Sequence, residues 1–108
     1  MKQLTGMLCV LVMMSFMVPA IAAAPDTSRQ TELLYLLKHD CGSCHGMTRK
    51  GGLGPPLLPE NLRGKPGDML IITVLDGRPG TPMPPWRGEL SEADARWLVE
   101  ALRTGAGL

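Results

Sequence analysis

Two thiols three positions apart, followed at once by an imidazole, constrain this chain more than any other feature. Cys41-Gly42-Ser43-Cys44-His45 puts three groups with affinity for metals or electrophiles into five residues. The third cysteine, Cys9, lies apart from them, in an apolar run from Met7 to Ala24 that only Ser15 and Pro19 interrupt. With Lys2 ahead of it and Ala20-Ile21-Ala22-Ala23-Ala24-Pro25 behind it, the run reads as an export signal over residues 1–24: a charged start, a hydrophobic middle and a small-residue cleavage site. An uncleaved anchor is the competing reading, because about 18 apolar residues lie near the lower limit for a membrane span. Pro19 and the alanine cluster favour cleavage. Cys9 follows Gly6-Met7-Leu8 rather than a lipidation sequence and is expected to leave with the signal.

Cleavage after Ala24 leaves residues 25–108 as one domain, with ten basic and ten acidic side chains. A balance of zero provides no basic field for nucleic acid. The aromatics that remain are Tyr35, Trp86 and Trp97. A domain this small buries a modest share of its surface and ordinarily needs a staple. In an exported chain a disulfide between Cys41 and Cys44 is the first candidate for it.

Apolar residues at 33, 34, 36 and 37 suit one face of a helix over Thr31–His39, with Ser28 or Asp26 as its cap. From Cys41 to Pro66, six glycines and four prolines predict loop, with one helical turn near Glu60–Arg63. Asp68–Leu75 is ambiguous by period. Its β-branched residues argue for strand, whereas Asp68 at the start and Gly77 at the end argue for helix. Gly77–Pro85 is too rich in proline for regular structure. Ser91, with Glu92 and Asp94 in the first turn, caps a last helix with apolar positions 95, 98, 99 and 102, and Gly105 closes it.

C-x-x-C-H is the attachment signature of c-type haem. Two thiols at this spacing can each add to one vinyl group of a single porphyrin, and the next residue places an imidazole under the iron. Cys41 and Cys44 are then thioether links and His45 the proximal ligand. Three other readings compete. A Cys41–Cys44 disulfide closes too small a loop to stabilise much, and a thioredoxin-like site needs a βαβ context that this chain lacks. Zinc on His39, Cys41, Cys44 and His45 would crowd four ligands into seven residues, unlike the split pairs of structural zinc sites. For the sixth iron position Met83 is favoured, since Pro82 and Pro84 restrict its loop and hold a thioether at little entropic cost. Met47 follows His45 too closely to reach the opposite face, Met69 suits packing, and His39 suits a solvated helix end. Gly54-Pro55-Pro56-Leu57 is a rigid turn able to present a carbonyl to the other ring nitrogen of His45.

In this order of motifs the chain resembles the class I monohaem cytochromes c over nearly all of its mature length. The resemblance implies a small all-α fold in which the N- and C-terminal helices cross near Leu33–Leu37 and Trp97–Leu102 while loops wrap one covalently attached haem c. It also implies helix at Asp68–Leu75, the Pro55 carbonyl as acceptor for His45, and Met83 as the distal ligand. More narrowly, Leu75–Arg87 and Leu90–Asp94 are similar to the small periplasmic cytochromes c encoded with the haem-d-containing nitrite reductase of denitrifying bacteria.

The function this implies is one-electron transfer in the periplasm, by a monomer without a lasting membrane anchor that donates electrons to nitrite reductase. It is not an enzyme, because histidine and methionine fill both axial positions. Alternatives are a maturation factor for the haem-d nitrite reductase, a cytochrome subunit of a periplasmic dehydrogenase, or a small peroxidase with an open iron site. Arg78 and Arg87 flank the methionine loop and are candidates for a docking patch or for pairing with haem propionates.

Overall fold

The computed structural model describes residues 23–108, so the expected signal segment, and Cys9 with it, lies outside the described residues up to Ala22. The described chain is helical, without strands. Its elements are α1 (Thr27–Leu36), a π-helical segment (Leu37–Cys41), α2 (Gly42–His45), α3 (Pro59–Leu62), α4 (Gly67–Asp76) and α5 (Glu92–Thr104). No helix among the described residues is long and apolar enough to cross a membrane.

Asp26 starts α1 by accepting the Arg29 backbone N–H at 2.8 Å, which satisfies one of the orphan donors of the first turn. The helix thus begins four residues before the expected Thr31. It does not simply end at His39 either. The Leu37 N–H reaches the carbonyls of both Leu33 and Leu34, and the Gly42 N–H reaches back five residues to Leu37. This wider turn takes in Lys38, His39 and Asp40, all exposed, between the buried Leu37 and the half-buried Cys41. The expectation of loop from Cys41 onward is corrected here: Gly42–His45 is a helical turn that continues the first helix through the whole cysteine motif.

Asp68–Leu75 lies within α4, which settles the strand-or-helix ambiguity for helix. Pro66 rather than Asp68 is its N-cap, and Gly77 is its C-cap, at a positive φ (+67°). Helix α5 follows its expected start and stop. The Ser91 hydroxyl accepts the Asp94 N–H while the Asp94 carboxylate accepts the Ser91 N–H, a reciprocal capping box, and Gly105 closes the helix at φ +73°.

One core joins these elements: Leu33 and Leu37 from the first helix, Leu62 from α3, Ile71 and Leu75 from α4, Leu90, and Ala95, Leu98, Val99 and Leu102 from α5. The first and last helices meet in it, as the resemblance implied. The core is wholly aliphatic. Trp86 and Trp97 pack against its edge and stay half-buried.

Candidate functional site

The cysteine motif is presented by consecutive helical turns. Cys41 ends the π-helical segment and packs against the core, whereas Cys44 and His45 lie on α2; all three are half-buried. Neither thiol is in a disulfide. Burial, with Asp40 adding to it, pushes the Cys41 thiol up to about 11, so it stays protonated at neutral pH. A dithiol redox centre needs the opposite shift. Among the described residues no three His, Cys, Asp or Glu side chains gather as a metal site would require. His39 is instead exposed, its ring 4.2 Å from that of Tyr35.

His45 is oriented by the glycine-proline loop that follows it. The loop folds back through Gly51 N–H to His45 O and Gly54 N–H to Cys44 O, both 2.8 Å. This return sets the Pro55 carbonyl 2.7 Å from His45 Nδ1. A carbonyl can only accept, so Nδ1 carries a proton here, and Nε2 is the ring nitrogen left to face a metal. Gly54 lies against the ring. A Cβ there would sit 2.8 Å from both Cε1 and Nδ1, so only glycine lets the loop close over the imidazole. The sequence pointed to this turn; it did not point to Arg49, which adopts φ +60° and whose carbonyl receives the Leu57 N–H at 2.9 Å.

Met83 is half-buried on the loop between α4 and α5. Both of its backbone polar groups are held inside that loop: its N–H donates to Thr81 Oγ1 at 3.3 Å, and its carbonyl accepts the Arg78 N–H at 3.2 Å. The other methionines are placed differently. Met47 is half exposed and its sulfur lies over Gly42, while Met69 is on α4. Of the two arginines flanking the loop, Arg78 is exposed. Arg87 donates through Nε and Nη2 to Asp76 Oδ1, each at 2.8 Å, so its head group is engaged within the chain.

Taken together, the donor set is an imidazole of fixed tautomer, two unbridged thiols at i and i+3, and a thioether on a braced loop. That set suits a porphyrin iron. Helix α4 also turns Ile71 and Leu75 into the core and leaves Met69 and Ile72, one turn apart, uncovered; Ile72 is 58% exposed.

The profile of the family described as cytochrome c oxidase, cbb3-type, subunit III matches residues 28–100. Cytochrome c55X of Pseudomonas aeruginosa is 63% identical over 81 residues, which are 75% of this chain and 68% of that protein. The solved structure of the c-type cytochrome NirC is similar at 61% identity with a TM-score of 0.75, covering 76% of this chain and 96% of that one. A second solved structure, dihydro-heme d1 dehydrogenase NirN in complex with DHE, is 40% identical with a TM-score of 0.60. The match there covers 65% of this chain and only 15% of that much longer protein.

Proposed function

The chain belongs to the c-type cytochromes, in the family of cytochrome c55X, and from that premise we propose that it is an exported electron carrier whose iron is ligated by His45 and Met83 and which donates to nitrite reductase. Its cofactor is haem c, bound covalently, which supplies a reversible one-electron couple.

Everything else is done by the chain's own residues. Cys41 and Cys44 would hold the haem through thioether links to its two vinyl groups. His45 offers Nε2 because Pro55 holds the proton on Nδ1. Met83 would offer a soft thioether, a ligand that favours the ferrous state and raises the potential. Were His45 and Met83 both to bind the iron, small molecules would have no open position on it, which favours a carrier over a peroxidase. The uncovered Met69, Ile72 and Leu53 provide apolar surface for a large ring. The observation that carries the reading is the 2.7 Å contact between His45 and the Pro55 carbonyl.

The neutral balance of the mature chain leaves docking to local contacts rather than long-range steering. Arg78, exposed beside the Met83 loop, is the candidate contact that remains once Arg87 is engaged by Asp76. Nitrite reductase is proposed as the acceptor on the likeness to the cytochromes encoded beside it. The test is stopped-flow oxidation of the reduced protein by purified nitrite reductase. Rapid, saturable oxidation is expected, and no oxidation at micromolar enzyme would exclude the donor role.

A second reading, assistance in maturing the reductase, has its own support in the likeness to a segment of dihydro-heme d1 dehydrogenase. On that reading, deletion of the gene leaves nitrite reductase without its catalytic haem. On the carrier reading, the enzyme is complete and starved of electrons.

A further inference from the structure

A thioether is a neutral, weakly basic ligand, so whether it stays on a metal depends on how firmly the protein holds the sulfur in place. In this chain the loop carrying Met83 is closed on itself at two levels. Inside it, the Thr81 hydroxyl donates to the Arg78 carbonyl at 2.6 Å and accepts the Met83 N–H at 3.3 Å. The Thr81 N–H reaches that same carbonyl at 3.0 Å, and the Arg78 N–H holds the Met83 carbonyl at 3.2 Å. One hydroxyl thus links both sides of the turn that presents Met83.

At the neck, the returning chain caps the end of α4. The Trp86 N–H is shared between the carbonyls of Val74 (3.3 Å) and Leu75 (3.0 Å), and the Arg87 N–H donates to Leu75 at 3.0 Å. Gly77 is buried in the neck at φ +67°. A Cβ there would lie 2.6 to 2.7 Å from the Pro84 carbonyl carbon, the Met83 oxygen and the Pro85 nitrogen, so the Met83 backbone rests directly on it. Outside the neck, Arg87 grips Asp76, the last residue of α4, through two N–H groups at 2.8 Å. These side chains are 59% and 52% exposed, and ion pairs that open to water contribute little to global stability. What this pair does is fix the two ends of the loop to each other.

We propose that Thr81 and the Asp76–Arg87 pair are positioning residues for Met83, holding its sulfur in place against dissociation. The proposal rests on Met83 as the axial ligand. Neither Thr81 nor the ion pair is buried, so their effect falls on the loop rather than on the core.

The test is titration of the ferric holoprotein with imidazole, followed by loss of the weak far-red charge-transfer band that marks methionine on iron. Thr81→Val is expected to bind imidazole about fivefold more tightly than the parent, the equivalent of one lost hydrogen bond, with Thr81→Ser near the parent. Asp76→Asn and Arg87→Gln are each expected to tighten it about two- to fivefold. Their double variant should go no further than either single change, because they remove one interaction. Denaturant midpoints followed by circular dichroism should stay at the parental value. Parental imidazole affinity in all these variants would overturn the proposal, as would tightening matched by an equal loss of global stability. Met83→Ala separates the two levels of the argument. If it removes the band while the other variants behave as the parent, only the positioning role fails; if it keeps the band, the ligand assignment fails and the proposal with it.

Discussion

Asp94 is a buried charged side chain in the first turn of α5, 7% exposed and 3.0 Å from Arg29, 65 residues earlier in the chain. Burial works to raise its pKa, but the hydrogen bonds from Arg29 and the Ser91 backbone outweigh it and the net shift is downward from 3.8. A carboxylate with a lowered folded pKa contributes stability that is fully present above its unfolded value and is lost as pH falls through the folded one. Asp94→Asn should therefore be less stable than the parent near neutrality, with the gap closing below about pH 4 as the parent's carboxyl is protonated; denaturant melts across pH measure this. Gly54 makes the sharper prediction for the site. Gly54→Ala drives a methyl into the His45 ring and should cost about 1–3 kcal/mol, with a changed ferric spectrum as the histidine shifts against Pro55. The candidate site residues stand out in the sequence because they form a local pattern, five consecutive residues and a proline-bounded methionine. The Arg29–Asp94 pair was not, because a partner 65 positions away leaves no periodic or local signal. Thr81 carries no sequence signal for a related reason: a threonine in a loop looks like any other until its hydroxyl is seen between Arg78 and Met83.

At the scale of elements, termini were easier to read than interiors. The Ser91 cap and the Gly105 stop of α5 are both in place because each depends on one residue type meeting one backbone requirement. Ser91→Ala removes half of the capping box and should cost about 1 kcal/mol, which in a domain of this size lowers the melting temperature by about 4–8 °C. The π-helical segment had no such marker. Leu33, Leu34, Leu36 and Leu37 satisfy an α-helical face equally well, and the extra residue appears only in the five-residue reach of Gly42 to Leu37. Its consequence falls on the site, since the wider turn sets the register at which Cys41 enters the motif. For Asp68–Leu75, local preference was divided and packing against α5 decides: Ile71 and Leu75, one turn apart, share the core only if the segment is helical.

For the molecule as a whole, the shortage of aromatics has a physical answer. The buried cluster consists of leucine, isoleucine, valine and alanine from five stretches of chain, while Leu53 (76% exposed), Met69 and Ile72 remain uncovered. A covalently bound haem c supplies a large apolar body of the kind that residues 25–108, with two tryptophans and one tyrosine, do not themselves contain. Ligation of this haem by His45 and Met83, as proposed, is tested most directly by the far-red ferric spectrum of the holoprotein and of its Met47→Ala, Met69→Ala and Met83→Ala variants. The methionine-to-iron band should be present in the parent and in the first two variants, and absent in Met83→Ala together with a lowered midpoint potential. A band that survives Met83→Ala, or that is missing from the parent, would contradict the account.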